Sequence, residues 1–244
     1  MKTMGLIGGM SWESSAEYYR LANLLVKERL GGFANAKSLL LTVNFAEIEA
    51  LQREQNWDQL AREMETAARQ LQAGGADFIV LCTNTMHKVA PAIQSAISIP
   101  LLHIADPTAK AIKARGLNTV GLLGTRFTMK EDFYRRRLQV EHGLRVETPS
   151  PADQEFVDRA IYEELCHGIL RDETRSECRR VLRSVVQQGA QGIILGCTEL
   201  GLLLRASDSP VPIFDTTELH VRAAVEYALA DDGESLPGAS PPLS

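Results

Sequence analysis

The chain has 244 residues, 45% of them hydrophobic, enough to bury a full core in one large domain or two small ones. Its formal net charge is −5 with both signs scattered along the chain, so the basic stripe that a phosphate backbone demands is absent and nucleic acid is not expected as a partner. No run approaches the roughly 18 apolar residues of a membrane span, no membrane association is expected, the first residues lack a secretory pattern, and cysteines 82, 166, 178 and 197 without a C-x-x-C point to a reduced, cytoplasmic setting with no metal site.

Apolar, β-rich runs alternate with long helical patterns, the mark of parallel strands joined by crossover helices. Strands are predicted at 4–9, 37–44, 77–82, 100–103, 119–124, 143–148, 191–196 and 211–214. Between the second and third, Ile48, Leu51, Leu60, Met64, Ala67 and Leu71 keep helical spacing through 45–73, and Gly74 and Gly75 stop the pattern as a C-cap. Residues 153–189 read as two helices separated near Gly168, with Thr174 as an N-cap. A last helix is expected at about 216–230, and the Pro, Gly, Ser and acidic content of 231–244 is that of a disordered tail.

Two segments are the same sequence written twice: GGADFIVLCTNTMH at 74–87 and QGAQGIILGCTELG at 188–201, an offset of 114 that sets Thr83 against Cys197. MGLIGG at 4–9 resembles VGLLGT at 120–125, offset 116, and IPLL at 99–102 resembles VPIF at 211–214, offset 112. Near-equal offsets in the same order predict two homologous halves. The expected fold is α/β, with two pseudo-symmetric lobes, each a parallel sheet flanked by helices, and an active-site cleft between them. The first lobe is drawn at 1–105, with 215–230 returning to it, and the second at 106–214. Packed about a pseudo-twofold axis, such lobes would hold a ligand between Thr83 and Cys197, the geometry of stereoinversion.

In open α/β sheets ligands bind at the carboxyl ends of strands, where helix N-termini leave N–H groups free for an anion. Both repeated motifs occupy such a place. Asn84 and Thr85 in one copy and Thr198 in the other are candidates to hold a carboxylate, and the glycine turns at Gly8, Gly9 and Gly124 let backbone approach closely. Met10 and Thr125, which follow those turns, join the substrate-binding candidates. Ordinary caps and turns are the bland alternative, weakened by recurrence in both halves. Cys197 follows Gly196 at a strand-to-helix turn, where a helix N-terminus is expected to stabilise the thiolate, the form able to act as base or nucleophile; the alternative is a small buried hydrophobe. Cys82 aligns with Gly196, points to the opposite face from Thr83 and is read as structural, and Cys166 and Cys178 as helix packing. A distal carboxylate needs a cation, best an arginine fork; Arg53, Arg126 in GTRFT, and His167 before Gly168 are the candidates, each weighed against a solvated surface role. His87, one turn past the first motif, can cap or orient it; His103, His142 and His220 carry no chemical signal. Trp12 and Met10 either line the cleft or pack the first helix.

The motifs CTNTMH and GCTE, with GLIGGMSWESS near the N-terminus, resemble the aspartate/glutamate racemase family of cofactor-independent amino-acid racemases, over residues 3 to about 230. In that family two cysteines, one per lobe, work as a pair, one removing the α-proton and the other delivering a proton to the opposite face. The usual first motif is C-N-T; this chain has Thr83-Asn84-Thr85, a threonine in place of the first catalytic cysteine, while Asn84, Thr85, Cys197 and Thr198 match. The resemblance implies a two-lobe α/β fold, a homodimer, no pyridoxal phosphate or other cofactor, and a small amino-acid substrate, aspartate, glutamate or a relative. It implies α-proton abstraction by Cys197, and, because the second-lobe cysteine generally attacks the L-enantiomer, a preference for L-substrates. A hydroxyl is a far weaker acid than a thiol of pKa about 8.5, and each unit of mismatch costs about 1.4 kcal/mol, so Thr83 is no simple stand-in; relay through bound water stays open. Two alternatives follow from the missing thiol: a one-thiol decarboxylase or isomerase of a small carboxylic acid, or a ligand-binding module without turnover.

Overall fold

The computed structural model describes residues 1–230, so the tail expected at 231–244 lies outside the described residues. The chain divides into two compact units, one made of Met1–His103 and the described residues from His220 onward, the other of Ile104–Leu219.

In the first unit, β1 (Met4–Gly8) is buried along its whole length, as an apolar run without alternation requires of a central parallel strand. It is followed by α1 (Trp12–Leu30), β2 (Ser38–Thr42), α2 (Phe45–Arg53), α3 (Trp57–Ala73), β3 (Phe78–Leu81), α4 (Ala90–Ala96) and β4 (Leu101–Leu102). The sheet is parallel throughout in the order β2-β1-β3-β4. One face packs Met4, Leu6, Phe78, Val80 and Cys82 against α1 and against Val221, Ala224 and Val225 of the C-terminal helix. On the other, Ile7, Ile79 and Leu81 meet the stripe Leu60, Met64, Ala67, Ala68 and Leu71 of α3, apolar at helical spacing. The helical spacing read through 45–73 is carried by two helices. Gln55 turns the chain with φ 56°, and the Asn56 side chain accepts the Gln59 N–H at 3.2 Å, starting a new helix after the polar run at 52–56.

The second unit contains α5 (Ala105–Ala114), β5 (Thr119–Gly124), α6 (Arg126–Lys130), α7 (Asp132–Arg136), β6 (Arg145–Glu147), α8 (Pro151–Glu163), α9 (Asp172–Gln187), β7 (Ile193–Gly196), α10 (Leu200–Leu203) and β8 (Ile213–Asp215). Helix α11 (Thr216–Leu229) begins here and belongs to the first unit from His220. This sheet too is all parallel, in the order β6-β5-β7-β8. Leu123, Ile193 and Leu195 pack against Val157 and Ile161 of α8 and Cys178, Val181 and Val185 of α9; Val120, Leu122 and Ile194 pack against Ile104, Ala109 and Ile112. Thr174 is not a cap. Arg171 holds that position, and Thr174 sits in the first turn of α9, donating its hydroxyl to Glu164 at 2.6 Å. Helix α8 starts two residues earlier than expected, Ser150 accepting the Asp153 N–H at 3.3 Å with Pro151 in the first turn.

The duplication read from the sequence recurs bond by bond in the backbone. The two sheets share one strand order. Gly75 and Gly189 stand at equivalent helix ends with φ 96° and 106°, a conformation that glycine adopts without a Cβ penalty. Asp77 donates its N–H to the Thr3 carbonyl at 2.9 Å and Gln191 donates to Thr119 at 2.9 Å; Ile79 donates to Pro100 at 2.8 Å and Ile193 to Pro212 at 2.9 Å. The molecule is an α/β protein of two parallel sheets flanked by helices, as expected. No helix among the described residues is long and apolar enough to cross a membrane.

Candidate active site

In the second unit, β5 and β7 run side by side to paired glycines, Gly124 and Gly196. A Cβ on Gly124 would lie 2.7 Å from the Gly196 carbonyl oxygen, so only glycine permits this approach. The next residues of the two strands, Thr125 and Cys197, are both buried. Thr125 caps α6, its hydroxyl accepting the Thr128 N–H at 3.4 Å. Cys197, 7% exposed, directs Sγ–H at the Glu199 carboxylate at 2.9 Å, and the Thr198 hydroxyl donates to the same Glu199 oxygen at 2.6 Å. Burial first, then the charge of Glu199 and the neighbouring Cys166, push the Cys197 thiol well above the usual thiol range. The expected thiolate stabilised by a helix N-terminus is therefore corrected. Helix α10 begins only after Glu199 and has four residues, too little dipole to offset a buried carboxylate.

Sequence reading missed the parts played by Glu199 and Tyr162 beside Cys197 and by Asp158 beside Tyr162. Glu199 lay within the recognised GCTE motif, but its grip on the thiol depends on a side-chain rotamer. Asp158 accepts the Arg126 N–H at 2.7 Å and is raised by burial, with Arg126 acting against the shift. Tyr162 is held protonated by burial first, and then by the negative potential of Asp158, Cys197 and Cys166. The helical spacing of Asp158, Tyr162 and Cys166 on and just beyond α8 was the available signal. Of the cation candidates only Arg126 stands near these groups, its charge acting on both Asp158 and Tyr162. Arg126 keeps its side chain exposed, its guanidinium 4.9 Å from the Phe127 ring, and His167 is exposed at the end of a single turn. Arg53 is spent on an exposed pair with Glu49 at 2.6 Å.

In the first unit the glycine-rich turn after β1 is braced by serines. Gly9 has φ 92°, and a Cβ there would strike the Val43 carbonyl oxygen at 2.2 Å. Its N–H donates to Ser15 Oγ at 2.7 Å, and that hydroxyl donates to the Ser11 carbonyl at 2.9 Å. Ser11 caps α1 by accepting the Ser14 N–H at 3.3 Å, while Ser14 Oγ donates to the Cys82 carbonyl at 3.0 Å and so ties α1 to the end of β3. Met10 is buried in the cluster that contains Met86 and Val89, whereas Trp12 is exposed. Thr83, Asn84 and Thr85 are all buried where β3 ends and a short 3-10 helix, Thr85–Val89, begins. Cys82 turns into the core, where burial alone pushes its thiol upward.

Two of the three histidines without a sequence signal, His103 and His220, lie buried beside His87, and the third, His142, contacts Asp106 at 2.9 Å next to the Arg137 fork. Among the described residues no group of His, Cys, Asp and Glu has an arrangement that could hold a metal ion.

The profile of the Asp/Glu/hydantoin racemase family matches residues 7–224. A solved structure from Yersinia pestis, provisionally named an Asp/Glu racemase, is 53% identical and covers 94% of this chain and all of its own, with a TM-score of 0.88. An aspartate racemase homologue from Pyrococcus horikoshii OT3 is 34% identical, covers 93% of this chain and 99% of its own, and has a TM-score of 0.81. A broad specificity amino-acid racemase from Bacillus subtilis is 26% identical over 180 residues, 71% of this chain and 74% of the relative. With the match spanning both sheets and both repeated motifs, the chain belongs to the Asp/Glu/hydantoin racemase family.

Proposed function

We propose that the protein is a racemase of aspartate, glutamate or related amino acids that works without pyridoxal phosphate, favours L-substrates and takes the α-proton with Cys197. The observation that carries this reading is the bond from Cys197 to Glu199. A buried thiol that lost its proton to water would leave an unsolvated negative charge beside a second one, and burial first, then the Glu199 carboxylate, raise it against that loss. Passing the proton to Glu199 instead moves the existing charge from oxygen to sulfur and adds none. The thiolate so formed takes the substrate α-proton, and the electron pair left on the α-carbon takes a proton from water on its other face; Glu199 holds the displaced proton, and Thr198 holds Glu199 in place.

The repeat supports the preference for one enantiomer. At an offset of 114, Cys197-Thr198-Glu199 corresponds to Thr83-Asn84-Thr85, so one copy carries both thiol and carboxylate and the other carries neither. Microscopic reversibility forbids a one-way racemase, so the asymmetry belongs to rates and saturation. In this reading Asn84, Thr85, Thr125 and Thr198 hold the substrate through hydroxyl, amide and backbone groups, with Met10, Arg126 and His167 as further contacts, and the family resemblance adds a homodimer in the cytoplasm. The test is Cys197→Ser: exchange of the α-hydrogen should fall by about 10²–10⁴-fold while substrate binding stays within a few-fold. Exchange at the parent rate would remove Cys197 from the chemistry.

A further inference from the structure

The first unit buries three imidazoles for which the proposed chemistry has no use. His87 and His103 lie with ring centroids 4.5 Å apart, and His87 and His220 at 5.9 Å. His220 Nε2 lies 2.9 Å from the Leu102 carbonyl oxygen and its Nδ1 2.9 Å from the Tyr18 hydroxyl. A carbonyl only accepts, so His220 carries a hydrogen on Nε2 and donates it to Leu102, while its Nδ1 pairs with the Tyr18 hydroxyl. By the same logic His87, whose Nδ1 is 2.7 Å from the Thr83 carbonyl oxygen, carries its hydrogen on Nδ1 and donates it there. The ring is flanked by the other two imidazoles, of which His220 is itself fixed at both nitrogens.

We propose that His87 is a positioning residue for the Thr83 motif, its Nδ1–H gripping the Thr83 carbonyl so that Thr83, Asn84 and Thr85 present one fixed set of polar groups to the ligand. The kinetic consequence rests on the racemase reading; the structural one does not. The contact lies at the point where β3 ends and the chain turns into the 3-10 helix that starts at Thr85, where the strand ladder no longer sets the backbone. A misplacement of about 1 Å among binding and reacting groups costs on the order of a hundredfold in rate, so one well-held carbonyl has leverage on turnover.

Two substitutions separate the hydrogen bond from the packing. The amide nitrogen of His87→Asn falls where Nδ1 stood and keeps the donor; His87→Leu fills more of the space and has none. His87→Leu should lower kcat/KM for α-hydrogen exchange by about tenfold to a hundredfold, and His87→Asn should return it to within a few-fold of the parent. Leu outperforming Asn would show that only volume matters, and equal loss in both would show that the imidazole itself moves protons; either result overturns the proposal. Backbone amide exchange needs no substrate: protection at residues 83–86 should be lost in His87→Leu and kept in His87→Asn, and equal protection in all three proteins would overturn it. In the unaltered protein, the nitrogen shifts of His87 should report hydrogen on Nδ1, and an Nε2–H ring would be equally fatal. If the parent exchanges no α-hydrogen, the racemase reading fails alone and these last two measurements still decide His87.

Discussion

At Cys197 the surroundings oppose a free thiolate and favour a shared proton. Glu199→Gln separates the two effects. Burial is the largest cause of the raised thiol and stays in the variant, but removing the carboxylate charge and its hydrogen bond takes away two further causes, so the pH profile of thiolate absorbance should move to lower pH. Turnover should nevertheless fall by about 10²–10⁴-fold, because the amide has nowhere to put the proton. A variant with the more acidic thiol and faster turnover would show that Glu199 only restrains Cys197. Thr83→Cys tests the other repeat. A thiol of ordinary pKa about 8.5 can serve as a base where a hydroxyl cannot, so initial rates from D-substrates should rise more than those from L-substrates. Equal changes, or loss of activity in a folded protein, would give Thr83 a positive role, such as holding water or substrate. Cys197 and Thr83 were legible in the sequence because the duplication marks them. The Glu199 contact was not, since a rotamer decides it, and neither was the histidine cluster, assembled from positions 87, 103 and 220.

Among the elements, the ends of β5 and β7 set the site's precision. Gly124→Ala would force its Cβ against the Gly196 carbonyl at 2.7 Å, a backbone atom with little room to yield. The expected cost is about 1–3 kcal/mol of stability, with a loss of turnover from displacement of the residue just before Cys197; an unaltered melting temperature and rate would contradict the tight approach. A second tie is the buried carboxylate of Asp208, which reaches Arg175 at 2.8 Å and Arg179 at 2.6 Å on α9. Burial raises this group, but the Arg175 hydrogen bonds and the Arg205 N–H outweigh it, so its folded pKa lies below the ordinary 3.8. Its contribution is therefore full above that value and is lost as pH falls through the lower folded one. Asp208→Ala should cost about 1–3 kcal/mol at neutral pH, and that difference from the parent should shrink in acid. A constant difference across the titration would assign the loss to packing. The short elements explain where sequence reading of boundaries fell short. The break at Gln55 falls in the polar run at 52–56, which a reading of apolar positions on either side passes over, and Thr174 looks like a cap although its hydroxyl is committed to Glu164. The central strands β1, β3, β5 and β7 were visible because parallel strands buried on both faces read as solid apolar runs.

For the molecule as a whole, duplication was the most informative property of the sequence. It foretold one strand order used twice, and the helix-end glycines and inter-strand bonds repeat with it. Chemistry was duplicated less faithfully than fold: thiol and carboxylate stand in one copy, and two threonines in the other. The central claim, that one thiol-bearing copy suffices for racemisation with L-substrates favoured, is tested most directly by following L- and D-aspartate and L- and D-glutamate in deuterated water with chiral separation and mass measurement. Deuterium should appear at the α-carbon of an intact amino acid, faster from the L-enantiomer, together with the mirror form. Release of carbon dioxide with a shortened product, or binding without any α-exchange, would contradict it.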